Sequence, residues 1–288
     1  MGKTNIQWCD FTFYPWLCCR KVAPECENCY IVTTPPFRFR GLAHGKERIR
    51  TSASTWKLPE RWNKIHSLRG IFKDNHHRPR VFCLSLGDWL DDEVPIEWLA
   101  DLLALIHATP NLDWLLLTKR PENFTAQSNG VFHILWTEKN KEAGRWLDEW
   151  THLGKPPANV WIGVSHGADQ AAALAIPAKI HFMSCEPMLN PLDTTHASKF
   201  NWIIFGGESG KKARPCNINW IRGGVEFCRN NGIAAFVKQL GAKPFEDVFL
   251  VEDGYEVRET RNYKFKDSHG GLMNEWPPDL RVREFPKP

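Results

Sequence analysis

Short apolar runs alternate with longer segments of helical periodicity through the middle and C-terminal half of the chain. Six runs have the near-continuous hydrophobicity of strands that are buried on both faces: 81–86, 114–118, 160–165, 179–184, 202–205 and 234–239. Segment 96–107 carries apolar residues at helical spacing, and Pro95 suits the first turn of that helix. Segment 220–228 predicts a further helix that ends at Gly232. Strands that alternate with helices predict an α/β fold with a parallel sheet.

The number of these repeats favours a full or partial β/α (TIM-like) barrel over an open sheet, and 288 residues can form one such core. The strand–helix rhythm stops near residue 245. We therefore predict a barrel over residues 1–244 and a C-terminal extension over 245–288 that packs on the barrel. Residues 37–80, which contain no predicted barrel strand, are predicted to be an insertion.

Polar, chemistry-capable side chains stand where the predicted strands end. In β/α barrels the carboxyl ends of the strands converge on one face, which holds the active site. We expect a shared pocket formed by the residues at these ends: Ser85, Asp88, Thr118, Lys119, Arg120, Ser165, His166, Ser184, Cys185, Glu186, Glu208, Ser209, Lys238 and Gln239.

Composition indicates the cellular location in which the protein is expected. No apolar run is long enough to span a bilayer, and the first residues are polar, so we expect neither a signal peptide nor a membrane partner. Nine cysteines in such a chain favour a reducing compartment, where clustered thiols bind metal more often than they form disulfides. A cytoplasmic protein is expected.

The net charge of the whole chain is only +4, but one segment is strongly basic. Residues 38–80 contain twelve Lys and Arg and three acids, which gives 12 − 3 = +9. Phe37, Phe39, Trp56, Trp62 and Phe72 are interleaved with these cations. Cations beside rings that can stack on bases are typical of a nucleic-acid surface, for which Arg38, Arg40 and Trp56 are the candidate contacts. The alternative is a solvated insertion whose aromatic rings pack into the core.

Three cysteines, Cys19, Cys26 and Cys29, form a C-x6-C-x2-C motif in one short segment. Three ligands are one fewer than a closed structural zinc site requires. An iron–sulfur cluster held by three thiolates instead keeps one iron open for a substrate or cofactor. A zinc site without catalysis is the alternative, with Cys18 or Cys9 as the fourth ligand.

The succession of motifs resembles a phage- and prophage-associated three-cysteine family that is described as radical SAM-like. The matching segments cover almost the whole chain: Asn5-Ile6-Gln7-Trp8 with Asp10, 19–30, 80–94, Leu117-Thr118-Lys119-Arg120-Pro121, 159–165, Ser184-Cys185-Glu186-Pro187, Gly206-Gly207-Glu208-Ser209-Gly210, Ala213-Arg214-Pro215, Phe236-Val237-Lys238-Gln239 and 275–284. Two local departures are Cys18, where the family usually has Gly, and His166, where relatives carry a hydrophobic residue followed by an acid.

The resemblance implies a barrel of the radical SAM type, in which Cys19, Cys26 and Cys29 hold a [4Fe–4S] cluster. Its open iron would bind S-adenosylmethionine (SAM), and reductive cleavage of SAM would give a 5′-deoxyadenosyl radical. An electron donor such as a flavodoxin or ferredoxin is an expected partner. If the chain is phage-encoded, its location is the host cytoplasm.

Candidate roles follow for the remaining residues. Glycines allow a ligand to approach the backbone, a carboxylate can hold an ammonium, and Lys or Arg can bind a carboxylate or phosphate. The candidate cofactor-binding residues are Tyr30, Ser85, Asp88, Thr118, Lys119, Ser165, Glu186, Gly206, Gly207 and Glu208. The candidate substrate-binding residues are Arg120, His166, Arg214, Gln239, Arg38, Arg40 and Trp56. Cys185, Glu186 and Lys238 are candidate catalytic residues, although a structural role is favoured for Cys185.

The basic segment and the resemblance together favour a nucleic-acid base as substrate, DNA over RNA. One specific hypothesis is an isomerase that rearranges an amino-acid-derived modification on thymine in phage DNA. A radical SAM enzyme that acts on a small metabolite or a protein is the alternative within the same class.

Overall fold

The computed structural model describes residues 4–69, 77–252 and 255–287. Phe72, Lys73 and His76 of the predicted basic insertion lie outside the described residues, as does the side chain of Arg40. The chain forms two compact units. Unit 1 comprises Met1–Ala23, Ile31–Val164 and Ala168–His181, and unit 2 comprises Pro24–Tyr30, Ser165–Gly167 and Phe182–Pro288. The predicted boundary at 244–245 stays a prediction.

Unit 1 contains six strands and seven helices within the described residues. Its strands are β1 (Phe11–Phe13), β2 (Trp16–Leu17), β3 (Ile49–Arg50), β4 (Arg80–Cys83), β5 (Asp113–Thr118) and β6 (Val160–Ser165), the last residue of which belongs to unit 2. Its helices are α1 (Pro35–Arg40), α2 (Ala53–Trp56), α3 (Leu58–Arg69), α4 (Ile96–Ala108), α5 (Phe124–Ile134), α6 (Lys141–Thr151) and α7 (Gln170–Ala175). A π-helical turn, Leu135–Lys139, separates α5 from α6.

Unit 2 contains most of the remaining regular structure. Its strands are β7 (Ile180–Cys185), which begins in unit 1, and β8 (Trp202–Gly206), β9 (Cys216–Asn217), β10 (Ala234–Gln239), β11 (Pro244–Glu252) and β12 (Tyr255–Asn262). Its helix is α8 (Ile218–Asn231). Short 3-10 turns carry the second cysteine of the motif, Pro24–Cys26, and the C-terminal residues Met273–Glu275 and Pro278–Leu280.

Seven strands form one sheet in the order β1-β4-β5-β6-β7-β8-β10. Within unit 1, β1 pairs with β4, β4 with β5 and β5 with β6, all parallel. Within unit 2, β7 pairs with β8 and β8 with β10, also parallel. The predicted α/β class with a parallel sheet is therefore confirmed, and the architecture is compatible with a partial β/α barrel.

The six predicted strands are all present because their apolar side chains are buried on both faces of the sheet. Every residue of β6 and of β8 is buried, and Trp114, Leu116 and Ile162 belong to the main hydrophobic cluster. The helix predicted at 96–107 is α4, preceded by Pro95. The helix predicted at 220–228 is longer, and Gly232 ends it in the left-handed conformation that glycine adopts most readily.

Two differences from the predicted elements have clear causes. The strand predicted at 81–86 ends at Cys83, because the backbone turns at residues 85–87. β1, which pairs through Phe11–Phe13 with β4, was not predicted, because three residues are too few for a periodic signal.

The C-terminal residues are more ordered than an irregular tail. β11 and β12 form an antiparallel hairpin, and β9 extends it through parallel pairing with β11. Within unit 2 the Val237 N–H donates to the Val282 carbonyl, and the Trp202 indole N–H donates to the Glu284 carbonyl. Trp276 and Leu280 are buried. Among the described residues, no helix combines the length and apolar character that crossing a membrane requires.

The first residue of β5 supplies a pH-dependent contribution to stability. Burial raises the pKa of Asp113 from 3.8 to about 6, although Arg78 is 3.4 Å away. The native state therefore binds a proton more tightly than the unfolded state, and stability falls as pH rises from about 4 to about 6. A shift of about two pKa units corresponds to at most about 3 kcal/mol. We expect Asp113→Asn to remove this part of the pH dependence, measured as the difference in unfolding free energy by urea between pH 4.5 and pH 7. An equal difference in wild type and variant would contradict the assignment.

Candidate functional site

The first cysteine of the motif lies in unit 1, beside a histidine. The Sγ atom of Cys19 is 3.7 Å from Nδ1 of His44, and the Gly45 N–H donates to the Cys19 carbonyl at 3.0 Å. Burial lowers the pKa of His44, and its Nε2 atom is buried without a hydrogen-bond partner among the described residues. The Cys19 thiol is thus placed next to a second group that can bind a metal.

Cys18, the neighbouring thiol, is buried, and burial raises its pKa. Its φ of 80° lies in the left-handed region, where glycine is the residue with least strain. Burial also raises the pKa of Cys9 to about 12.

The other two cysteines of the motif lie in unit 2, in the segment Pro24–Tyr30. Cys26 is buried and Cys29 is half-buried, and the Cys29 N–H donates to the Cys26 carbonyl at 3.4 Å. We call this segment the cysteine loop. Asn28 fastens it, because its side-chain amide donates to the Lys212 carbonyl at 3.0 Å and to Oε2 of Glu208 at 3.2 Å.

An ion pair between the buried Glu208 and the half-buried Arg214 also holds the cysteine loop. Arg214 donates from Nη2 to Oε1 of Glu208 at 2.6 Å and from Nε to Oε2 at 2.9 Å, which is a bidentate pair. The Arg214 backbone N–H donates to the same carboxylate, and Nη1 donates to the Pro24 carbonyl at 3.0 Å. Burial acts to raise the pKa of Glu208, but the hydrogen bonds from Arg214 outweigh it and the pKa is lowered. The sequence predicted Glu208 as an ammonium ligand and Arg214 as a substrate ligand; here they hold each other and the loop.

The glycines before Glu208 serve backbone packing. A Cβ atom on Gly207 would overlap the Leu240 carbonyl oxygen, and one on Gly206 would lie 3.3 Å from the Glu186 side chain. Gln239 donates from Nε2 to the Gly207 carbonyl at 2.8 Å. The Gly206-Gly207 step thus allows the ends of β8 and β10 to approach closely.

The three candidate catalytic residues lie at the ends of β7 and β10 in unit 2. Nζ of Lys238 is 2.7 Å from Oε2 of Glu186, and the Ser184 hydroxyl donates to Oε1 of Glu186 at 3.2 Å. Cys185 is fully buried, and burial raises the pKa of its thiol well above the ordinary value. Glu186 and Lys238 thus form a half-buried ion pair, whereas Cys185 has the environment of a core residue.

His166 is neutral in its observed contacts. Its Nε2 atom accepts from the Asp193 N–H at 2.9 Å, and burial lowers its pKa. Ser165 is buried, Tyr30 is exposed and Gln239 is half-buried.

A second set of predicted site residues forms a hydrogen-bond network around Asp88 in unit 1. One oxygen of Asp88 accepts from the Thr118 hydroxyl at 2.7 Å and from the Leu90 N–H at 3.0 Å. The other accepts from the Lys119 N–H at 2.8 Å and from Nη1 of Arg120 at 3.1 Å. Asp88, Thr118 and Arg120 are all buried. The sequence predicted these residues for cofactor or substrate binding. In the structure both oxygens of Asp88 accept hydrogen bonds from the protein, whereas Nε of Arg120 is buried without a hydrogen-bond partner among the described residues. Ser85 lies apart from this network and donates to the Tyr14 hydroxyl at 3.3 Å.

The basic segment is partly neutralised by carboxylates outside it. Four of its arginines form ion pairs within unit 1: Arg48 with Asp91 and Glu93, Arg50 with Asp101, Arg78 with Asp113, and Arg80 with Asp10. Phe37 and Trp62 are buried, and the Arg50 guanidinium lies 4.1 Å from the ring centroid of half-buried Trp56. Arg38 is exposed. The aromatic rings named here therefore pack in the protein instead of forming a stacking surface.

Sequence reasoning missed three residues of the site: Glu25, Asn28 and His44. Glu25 and Asn28 lie next to Cys26 within the cysteine motif, so the sequence shows that they are close to it. Their other partners are distant in sequence and could not be inferred from it. His44 lies within the basic segment, and no sequence signal connects it with Cys19.

All nine cysteines lie in the described part of the chain, and none forms a disulfide. Across residues 4–69, 77–252 and 255–287, no three or more His, Cys, Asp or Glu side chains are grouped so that they could hold a metal ion as they stand.

The protein is thus a mixed α/β protein with a parallel sheet. Its cysteine loop is held by the ion pair of Glu208 and Arg214. The chain belongs to the family described as Protein of unknown function (DUF5131), whose model matches residues 3–274. Searches of curated proteins and of solved structures give no match.

Proposed function

We propose that this protein is a radical SAM enzyme in which Cys19, Cys26 and Cys29 bind a [4Fe–4S] cluster. The observation that carries the proposal is the set of three thiols within one short segment, two of them on a loop held by hydrogen bonds from Asn28 and Arg214. Three thiolates leave one iron open, which suits the binding of a cofactor.

The donor chemistry fits such a cluster, because all three residues are thiols outside any disulfide. Under the proposal the three thiols bind the cluster together, and metal binding of this kind is commonly coupled to local folding. When bound, the cluster supplies the electron that reductively cleaves SAM.

The chain's own residues divide into supporting and reacting groups under this proposal. Glu208, Arg214 and Asn28 position the loop that carries Cys26 and Cys29. Glu186 and Lys238 are the candidates for moving a proton, because they lie 2.7 Å apart at neighbouring strand ends and keep some exposure.

A nucleic-acid base is the substrate we infer from the charge of the basic segment, with DNA preferred. The four ion-paired arginines and the buried rings reduce the cations and stacking surfaces available to it, and they favour a small metabolite or protein as the alternative substrate. Filter binding of DNA across a salt series decides between them. A slope of log K against log salt of about −0.9 for each phosphate contacted supports DNA, and a slope near zero excludes it.

A second candidate function is a zinc-stabilised nucleic-acid-binding protein without catalysis. The approach of His44 Nδ1 to Cys19 Sγ favours it, because three cysteines and one histidine form a common structural zinc set. Under this alternative His44, in place of Cys18 or Cys9, fills the fourth position.

Anaerobic reconstitution tests the proposal directly. We expect about four iron per chain and an absorption shoulder near ~400 nm, as thiolate-held clusters show. Added SAM and a reductant such as reduced flavodoxin are expected to yield 5′-deoxyadenosine. Ala replacements at Cys19, Cys26 or Cys29 should each abolish iron loading, since each removes one of only three ligands.

Cys228→Ala is the matched control, because this thiol is buried in α8 and burial raises its pKa to about 12. It should keep the iron content of the wild type. One zinc per chain with no iron after anaerobic isolation would replace the proposal with the zinc alternative, and a loaded cluster that does not cleave SAM would refute the radical chemistry.

A further inference from the structure

The carboxylate of Glu25 in the cysteine loop occupies an unusual position within unit 2. Its Oε2 atom is buried and has no hydrogen-bond partner among the described residues. A buried polar group without a partner costs about 1–3 kcal/mol, and more when it is charged. Proteins satisfy nearly all such groups, so an unsatisfied carboxylate oxygen calls for a specific explanation.

Gly167, directly after β6, makes room for this carboxylate. An alanine methyl at position 167 would overlap Oε1 of Glu25 and would lie within 3.0 Å of its other carboxylate atoms. The backbone of Gly167 is outside the left-handed region, so conformation alone does not require glycine there. The absent side chain at position 167 is the space that the Glu25 carboxylate fills.

The backbone on either side of Glu25 is held in place. Nη1 of Arg214 donates to the Pro24 carbonyl at 3.0 Å, and the Glu27 N–H donates to the same carbonyl at 3.1 Å. The Asn28 amide is fastened to Glu208 and to the Lys212 carbonyl. These hydrogen bonds hold the segment that places the Glu25 carboxylate against Gly167.

In the part of the chain that the structure describes, the cations near Glu25 are paired with other carboxylates. The Arg214 guanidinium forms ion pairs with Glu208 and Glu27, and Glu25 acts on it only at longer range. Lys238 is paired with Glu186. His166, adjacent to Gly167, feels the charge of Glu25, but burial lowers its pKa and it accepts a hydrogen bond through Nε2. The negative charge of Glu25 is thus left for a positively charged ligand.

We propose that Glu25 is a ligand-binding residue that accepts hydrogen bonds from the ammonium group of an amino-acid-like ligand at the end of β6. The buried oxygen supplies the acceptor, the charge selects a cation, and Gly167 leaves room for the carboxylate in this position. The site does not depend on a cluster. Only the choice of probe rests on the proposed function, because that function requires a cofactor with an amino-acid end.

The probes are S-adenosylhomocysteine, which carries an ammonium group, and 5′-methylthioadenosine, which has the same nucleoside without it. Both are titrated into metal-free protein and measured by calorimetry. The result therefore does not depend on whether the protein binds iron or cleaves SAM. We expect wild type to bind S-adenosylhomocysteine at least about tenfold more tightly than 5′-methylthioadenosine, which corresponds to about 1.4 kcal/mol.

Glu25→Gln keeps the size of the side chain and removes its charge, and Gly167→Ala displaces it. Each is expected to weaken S-adenosylhomocysteine binding at least about tenfold and to leave 5′-methylthioadenosine binding unchanged. Glu226→Gln on the exposed face of α8 removes a charge elsewhere in unit 2, and Gly223→Ala adds a methyl group where nothing lies within 4 Å. Both controls should bind as wild type does.

Thermal unfolding of the ligand-free protein separates binding from a structural role. Because Glu25 is unsatisfied without ligand, Glu25→Gln should leave Tm unchanged or raise it. A Tm lowered by several degrees would show that the carboxylate supports the fold and would overturn the proposal. Equal affinities for the two probes in wild type, or unchanged S-adenosylhomocysteine binding in both variants, would overturn it as well.

Discussion

Replacing Asp88 with alanine is expected to lower the free energy of unfolding by about 3–5 kcal/mol, because it leaves the buried Arg120 guanidinium without its counter-ion. The hydroxyl of Thr118 and the backbone N–H groups of Leu90 and Lys119 lose their acceptor in the same step. Urea unfolding at pH 7 measures the effect as a shift of the midpoint at unchanged m-value.

The control for this prediction lies in α6 of the same unit. Glu149 pairs with Lys155 in an exposed ion pair, so Glu149→Ala should change stability little. The double variant Asp88→Ala with Arg120→Met should recover part of the loss, because an apolar pair can replace a buried ion pair. If Asp88→Ala keeps wild-type stability and loses only SAM binding, the residue serves the cofactor, as the sequence predicted.

Replacing Arg214 with alanine is expected to release the cysteine loop. The buried Glu208 carboxylate loses its bidentate partner and the Pro24 carbonyl loses its donor, which we expect to lower the free energy of unfolding by about 2–4 kcal/mol. Local opening of the loop should raise the rate of iodoacetamide alkylation at Cys26 and Cys29 in metal-free protein by about tenfold or more. Iron loading should fall in parallel.

Arg214→Lys tests the geometry of the contact as well as its charge. A lysine keeps the positive charge but cannot make two parallel hydrogen bonds to Glu208, so it should restore little of the protection. Arg258→Ala removes an arginine from an exposed pair with Asp247 in the same unit and should leave alkylation unchanged. Equal alkylation rates in wild type and Arg214→Ala, measured at a temperature where both are folded, would show that the pair does not position the loop.

Both predictions concern residues that the sequence predicted as cofactor or substrate ligands and that the structure shows in contact with one another. Asp88, Thr118, Glu208 and Arg214 were chosen because they are polar groups at strand ends, where ligands bind in α/β proteins. That argument locates the residues correctly, but it does not reveal whether a polar group is used by the protein itself. The distances of 2.6–3.1 Å from Arg214 to Glu208 and from Arg120 to Asp88 answer that question.

Other parts of the site were outside the reach of sequence reasoning for a related reason. Glu25 and Gly167 are separated by 142 positions, and Cys19 and His44 by 25. Neither pair belongs to a periodic pattern, so only the folded chain shows that they meet. The basic segment illustrates the opposite case, because its charge was visible while its ion pairs with Asp91, Asp101 and Asp113 were not.

The sequence by itself determined the α/β class and the positions of the six main strands along the chain. It also determined the helices around Pro95 and Gly232 and the spacing of the three thiols. These features depend on local hydrophobic periodicity and on residues close together in the chain. Only the tertiary structure decided which polar groups are satisfied by the protein and which, like Oε2 of Glu25, are buried without a hydrogen-bond partner among the described residues. Hydrogen bonds between distant segments set that distinction, because the cost of a buried polar atom depends on the partner that folding brings to it.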